Sequence, residues 1–196
     1  MSAAVHKALR HAGARVLMDL GTCAGDLVAV ERAVRATREL LVLHEIHQRV
    51  EDQFVIPALE AKRRGAAARL VDAHTDHEDH ISRLRARLSV VELDPTRASL
   101  HALYLEVTRF LGDAFLHMYE EEVLAQALLE EVYPQAELAS LAQRARDSLT
   151  PHEHELFAGH FLSSMSHADR QGRSDSGQKP ADLPGPGRRA GATVPG

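Results

Sequence analysis

Apolar residues recur at steps of three and four along most of the chain, and no segment alternates apolar and polar residues with a period of two. Such spacing is typical of helices with one buried face. Glycine and proline divide the pattern into four long predicted helices at residues 2–20, 26–63, 66–92 and 95–132, followed by shorter ones at 134–148 and 151–168. Short connections between long helices favour antiparallel neighbours. The sequence therefore predicts an all-α, up-down antiparallel four-helix bundle with two short C-terminal helices.

Residues at the breaks indicate how these helices begin. Asp26 and Asp94 are predicted N-caps, and Pro95 suits the first turn of the helix that follows it. Pro57 falls inside the second predicted helix and should kink or end it, because proline has no backbone N–H to donate.

Composition changes near the C-terminus. Residues 171–196 hold 6 of the 12 glycines and 4 of the 8 prolines, with few large apolar residues. Such a segment cannot bury enough apolar surface to fold. We therefore expect a bundle over residues 1–132, accessory C-terminal helices over 133–168 and a disordered tail over 169–196.

Charge and cysteine content narrow the function classes. The net charge is −5 and the pI is about 6.2, which does not favour nucleic acid or an anionic membrane as a partner. No run of 18 apolar residues exists, and Arg10, Arg15 and Asp19 interrupt any leader-like segment. Cys23 is the only cysteine, which suits a reducing compartment. We expect a cytoplasmic protein with neither nucleic acid nor membrane as a partner.

Residues of the metal-ligand type interrupt the apolar stripe of every long predicted helix. They are His6 in the first, His44, His47 and Glu51 in the second, His74 and His77 in the third, and His117 and Glu121 in the fourth. Glu51 lies roughly a dozen residues before the turn between the second and third helices, and His74 roughly nine after it. At about 1.5 Å per residue these are similar heights in an antiparallel pair, so we expect one polar layer across the bundle.

A buried polar layer needs partners for its atoms. Each unpaired buried polar group costs about 1–3 kcal/mol, which a marginally stable domain cannot absorb many times over. Imidazole and carboxylate are suitable ligands for iron, zinc or manganese, and a carboxylate can bridge two cations. His47 and Glu51 are four residues apart, one above the other on the inward face. The layer therefore predicts a metal site.

Four segments of the chain resemble hemerythrin-like proteins with the HHE cation-binding domain. They are HKALR at 6–10, HQRVEDQFVIPALE at 47–60, DAHTDHEDHISRL at 72–84 and HMYEEEVL at 117–124. The resemblance covers about residues 5–130 and implies a four-helix bundle that holds two non-haem iron ions, with an oxo or hydroxo bridge between them. Members of that family bind oxygen or nitric oxide, sense iron, oxygen or redox state, or handle peroxide. The expected partner is therefore a small diatomic or peroxide ligand.

The same resemblance implies which residues bind the metal. The implied ligands are His6, His47, Glu51, His74, His117, and a carboxylate at Glu121 or Glu122. On the third helix, the apolar stripe favours His77, whereas the four-residue spacing of oxygen-carrying members falls on Glu78, so both remain candidates. No catalytic motif beyond these ligands is present.

Three other interpretations fit part of the pattern. A ferritin-like di-iron protein needs Glu-x-x-His pairs, and no glutamate or aspartate stands three residues before any histidine. A DinB-like bundle would hold one cation with three histidines and leave Glu51 and Glu121 surplus. A metal-free helical interaction module would have to satisfy the whole polar layer with hydrogen bonds.

Overall fold

The computed structural model describes residues 3–166, and within them every regular element is helical, which confirms the all-α prediction. The α-helices are α1 (Ala3–Thr22), α2 (Leu27–Val50), α3 (Ile56–Lys62), α4 (Ala68–Leu93), α5 (Arg97–Glu120), α6 (Gln126–Val132), α7 (Gln135–Asp147) and α8 (Pro151–Ser164). None of these helices is long and apolar enough to cross a membrane. The predicted tail, 169–196, lies outside the described residues.

Two helix starts test the predicted caps. Asp26 caps α2 as expected, because its Oδ1 accepts hydrogen bonds from the backbone N–H groups of Val28 and Ala29 at 2.9 and 3.1 Å. The prediction for Asp94 and Pro95 was wrong. Asp94 instead ends α4. α5 starts at Arg97 and has Thr96 as its cap, whose Oγ1 accepts from the N–H of Ser99 at 3.1 Å.

Long-range side-chain pairs show the direction of neighbouring helices. On α2 and α4, Arg38 pairs with Glu92 and Glu45 pairs with Arg85, so residue numbers rise on one helix as they fall on the other. These two helices are therefore antiparallel. The same trend holds between α4 and α5, where the pairs are Arg69 with Glu120, His80 with Asp113 and Arg83 with Glu106.

The main apolar core lies between α1, α2, α4 and α5. Its largest fully buried members include Leu9, Leu40, Leu84, Leu103 and Phe110. α1 also packs against α8, whose Phe157 joins this core, and residues 3–164 form one compact unit that includes the two predicted accessory helices.

A π-helical turn interrupts each of the two helices that carry the candidate carboxylates. Glu51–Val55 joins α2 to α3, and Glu121–Ala125 joins α5 to α6. In the first turn the backbone N–H of Ile56 donates to the carbonyl oxygen of Glu51, and in the second the N–H of Gln126 donates to that of Glu121. Each of these hydrogen bonds spans five residues. Pro57 follows the first turn and gives a local reason for it, because proline removes an α-helical hydrogen bond. The second turn has no proline, and π turns are frequent at functional sites.

Candidate metal centre

Six of the predicted ligands meet in the interior as two overlapping sets. Within residues 3–166, the two groups whose nitrogen and oxygen atoms converge to within 4.8 Å are His6, His47, Glu51 and Glu121, and His74, His117, Glu51 and Glu121. All six side chains are buried. The two glutamates belong to both sets, so the sets overlap at these two carboxylates.

The first set joins α1 and α2 to both π turns. His6 Nε2 lies 3.4 Å from Glu121 Oε2 and 3.9 Å from Glu51 Oε1. His47 Nε2 lies 3.4 Å from Glu51 Oε2 and 3.9 Å from Glu121 Oε2. Each imidazole therefore faces both carboxylates.

The second set joins α4 and α5 to the same carboxylates. His74 Nε2 lies 3.4 Å from Glu51 Oε2, and His117 Nε2 lies 3.2 Å from Glu121 Oε1. The two Nε2 atoms are 3.1 Å apart. This set therefore repeats the composition of the first, with two imidazoles and two shared carboxylates.

These separations suit ligands of a common cation. With metal–ligand distances of about 2.1 Å, two ligand atoms at 90° are about 3.0 Å apart, and at the tetrahedral angle about 3.4 Å. The shorter contacts within the two sets, at 3.1–3.4 Å, lie in this range. The donor set of imidazole and carboxylate without thiolate fits iron, manganese or zinc.

The polar atoms at the centre have no hydrogen-bond partner within the described part of the chain. The unpartnered buried atoms of the site are His6 Nε2, His47 Nε2 and both carboxylate oxygens of Glu51 and Glu121. Native interiors leave few buried polar atoms unsatisfied, and each costs about 1–3 kcal/mol. Cations placed among these atoms would remove that cost. The residues therefore fit bound metal.

Two further carboxylates orient the histidines from outside the sets. His74 donates from Nδ1 to Asp52 Oδ1 at 2.6 Å, and His6 donates from Nδ1 to Glu122 Oε1 at 2.8 Å. Arg10 also donates to Glu122 Oε1 at 2.8 Å. Because a carboxylate only accepts, the proton of each neutral ring lies on Nδ1, which leaves the Nε2 lone pair directed at the centre. Such partners fix the orientation of metal-binding histidines and raise their basicity.

The site has an internal two-fold pattern. Each π turn begins with a candidate bridging glutamate, and the acidic residue immediately after it holds a histidine from another helix. Asp52 follows Glu51 and holds His74, while Glu122 follows Glu121 and holds His6. Each π turn therefore supplies one buried carboxylate to the interior and one exposed carboxylate that holds a histidine of another helix.

Burial and the paired carboxylates set the protonation states. Burial lowers the pKa of His6 and His74 despite the neighbouring carboxylates, and lowers that of His47 well below its usual value. Burial and the nearby Glu121 raise the pKa of Glu51 well above the usual range. Burial also acts to raise the pKa of Glu121, but the close approach of the His117 and His47 imidazoles outweighs burial and lowers it to about 2. The imidazoles of His6, His47 and His74 are therefore neutral and able to bind metal at neutral pH.

The remaining predicted ligands lie outside both sets. His77 is buried, with its ring centroid 5.0 Å from that of His117. Glu78 is exposed and accepts a hydrogen bond from Gln48 Nε2 at 3.0 Å. His44 packs edge-to-face on Phe110 with a centroid distance of 5.0 Å, and its Nε2 is buried without a partner. Neither His77 nor Glu78 joins the six residues that converge.

Two cavities adjoin the sets. An enclosed one of about 10 Å³, the size of a single water, is lined by residues that include His44, His77, Ala114 and Met118 as well as ligands of both sets. A second one of about 170 Å³ reaches His6 and Glu121 and has apolar walls from Val55 and Leu129. Small molecules therefore have space beside the candidate metal positions.

Asp52 was not among the residues predicted from the sequence, and Glu122 was predicted only as an alternative ligand to Glu121. A usable signal was present, because both HxxxE segments, at 47–51 and 117–121, are followed directly by another acidic residue. Comparison of the chain with protein-family models, with curated proteins and with solved structures gives no match.

Proposed function

We propose that this chain is a hemerythrin-like protein, an up-down four-helix bundle that binds two non-haem iron ions and a small ligand such as dioxygen, nitric oxide or peroxide. The observation that carries the proposal is the pair of four-residue sets that share Glu51 and Glu121. His6 and His47 would hold one ion, and His74 and His117 the other. The antiparallel pairing of the long helices supports the proposed bundle.

Iron bound there would supply coordination positions for an added ligand and a change of oxidation state. The protein contributes the remaining properties. Asp52 and Glu122 hold two of the imidazoles with Nε2 directed inward, and burial keeps these rings neutral. Each set would give its ion four protein ligands, two imidazoles and two carboxylates. The apolar cavity walls near His6 favour a small, uncharged ligand over a large polar one.

The experiment is a count of metal ions in variants that remove one set or both. We expect two ions per chain in the wild type, measured by elemental analysis after anaerobic reconstitution with Fe²⁺. His6→Ala and His74→Ala each weaken a single set and should leave about one ion. Glu51→Ala removes a ligand from both sets and should leave neither. His154→Ala, an exposed histidine on α8, serves as the matched control and should keep two.

Other results select the other interpretations. One tightly bound ion in the wild type, retained in Glu51→Ala, would favour a mononuclear DinB-like site. No bound metal, with thermal stability unchanged by a chelator, would favour a metal-free interaction module. Either result would refute a site built on shared carboxylates.

A further inference from the structure

A groove of about 530 Å³ runs along the outside of the metal centre between α4 and α5. Acidic residues predominate in it. Arg69 is neutralised by Glu120 at 2.6 Å, and Arg83 faces Glu106 at 3.6 Å. A third arginine, Arg109, also lines the groove. The remaining acidic residues are Asp72, Asp76, Asp79 and Asp113, and within residues 3–166 none of these four pairs with a lysine or arginine, so carboxylates outnumber guanidinium groups. The groove therefore presents a negative field to solvent, which attracts cations.

One histidine in this groove has no role in the structure described so far. His80 is only 5% exposed, and neither of its ring nitrogens has a hydrogen-bond partner among the described residues. Its nearest carboxylate atom, Asp113 Oδ2, is 3.7 Å from Nδ1, which is too long for a hydrogen bond. Two atoms that bind one cation at about 2.1 Å lie about 3–4 Å apart, depending on the angle between them. The pair is therefore spaced to hold a cation between its members.

A second pair lies one helical turn further in. His77 precedes His80 by three residues on α4, and His117 follows Asp113 by four on α5, so both lie on the same helix faces as the outer pair. The rings of His77 and His117 are 5.0 Å apart between centroids. Both residues line the groove and also the enclosed cavity beside the candidate metal positions. One helical turn is about 5.4 Å, a short step between ligand pairs.

We propose that His80 and Asp113 form a transfer site at which a divalent transition-metal cation binds before it passes His77 and reaches the buried centre. The inference rests on the proposed metal centre. It gives His77 a role that the two ligand sets do not, because His77 connects the groove to the cavity. It also explains why the buried imidazole of His80 has no hydrogen-bond partner although it lies beside the solvent-accessible carboxylate of Asp113. A cation can bind there and leave again only if hydrogen bonds do not already occupy the ligand atoms.

The test measures the rate of metal uptake separately from the number of ions bound. The metal-free full-length chain is mixed with Co²⁺ in a stopped-flow instrument, and the visible absorption of bound Co²⁺ is followed. We expect His80→Leu and Asp113→Asn each to slow uptake about tenfold, at the lower end of electrostatic steering effects. Both variants should still bind two ions at equilibrium. Release to a chelator should slow by the same factor, because a transfer site changes both directions equally.

Matched controls remove the same side chains elsewhere. His101→Leu replaces an exposed histidine on α5, and Asp147→Asn an exposed aspartate in α7. Both should load at the wild-type rate. Added salt should slow the wild type more than Asp113→Asn, since the aspartate contributes to the field that salt screens.

Uptake at wild-type rates in both groove variants would overturn the transfer site while the two-ion centre stands. A wild type that binds fewer than two ions would instead overturn the metal centre on which the site depends. Loss of an equilibrium-bound ion in His80→Leu would show that this residue is a permanent ligand and not a transfer ligand. If His80→Leu fails to fold, Asp113→Asn decides the question alone, because that side chain is 54% exposed.

Discussion

Replacement of Glu51 by glutamine should stabilise the metal-free protein while it abolishes stabilisation by metal. Glu51 is 1% exposed, neither of its oxygens has a hydrogen-bond partner among residues 3–166, and it shares the interior with the carboxylate of Glu121. Without a cation, an ionised Glu51 is an uncompensated charge. Glutamine keeps the shape, removes the charge and offers an amide N–H to Glu121.

The size of the effect follows from the burial. An unsatisfied buried group costs about 1–3 kcal/mol, and more if it is charged. A gain of that order raises the melting temperature by roughly 3–10 °C in a domain of this size. Wild type loaded with metal at 100 times the dissociation constant should gain about 2.7 kcal/mol, and the variant should gain none. Metal-loaded wild type and metal-free Glu51→Gln should therefore both be more stable than metal-free wild type.

The pH dependence gives an independent check. Because the folded-state pKa of Glu51 is raised, the folded wild type binds a proton that the unfolded chain has already released at the same pH. Its contribution to stability is most favourable at low pH, falls as pH rises above the ordinary glutamate value, and becomes constant above the raised pKa. The advantage of Glu51→Gln should thus vanish in acid and reach its maximum above the raised pKa of Glu51.

The assay is urea unfolding followed by circular dichroism, between pH 4 and pH 8, with and without Co²⁺. Glu31→Gln is the matched control, because this glutamate is exposed and lies on α2, the helix that leads into the π turn at Glu51. Its stability should change by less than about 0.5 kcal/mol. A metal-free Glu51→Gln that is less stable than wild type at pH 8 would refute the reasoning, as would an equal stabilisation of both proteins by Co²⁺.

Three further variants probe other parts of the structure. Asp52→Asn should weaken metal affinity by about 10–100-fold in a chelator competition and leave two ions at saturation, since it orients a ligand without being one; unchanged affinity would exclude that role. Burial holds the pKa of His44 at about 3, so the metal-free protein should lose roughly 5 kcal/mol of stability from this residue as pH falls from 6.5 towards 3. Urea unfolding should show that His44→Leu loses markedly less stability over the same pH range. Gly13→Ala should lower the free energy of unfolding by about 1–2 kcal/mol, because its methyl group would lie 2.7 Å from buried Leu111. Gly112→Ala meets no neighbour within 4 Å and should raise it by about 0.5–1 kcal/mol; similar melting temperatures for the two variants would contradict this packing argument.

The sequence by itself determined the helical class and the residues that face inward. Both follow from the period of 3.6 residues, which is local and repeats over every long helix. The same period placed His47 below Glu51 and His117 below Glu121, since residues four apart lie on one face. Asp26 as a cap is equally local, because its side chain bonds to N–H groups only two and three residues away.

Only the tertiary structure decided how those inward residues are grouped. The division into two sets that share Glu51 and Glu121 depends on distances between different helices, and no spacing along the chain encodes these. The same applies on α4, where periodicity favoured His77, the spacing of the hemerythrin-like family favoured Glu78, and packing placed neither in a set. The period of 3.6 residues does not predict the π turns either. Each π turn is wider than a turn of α-helix and therefore changes the direction of every later side chain. The contacts of Asp52 with His74 and of Glu122 with His6 join different helices, so they also depend on packing and not on spacing along the chain.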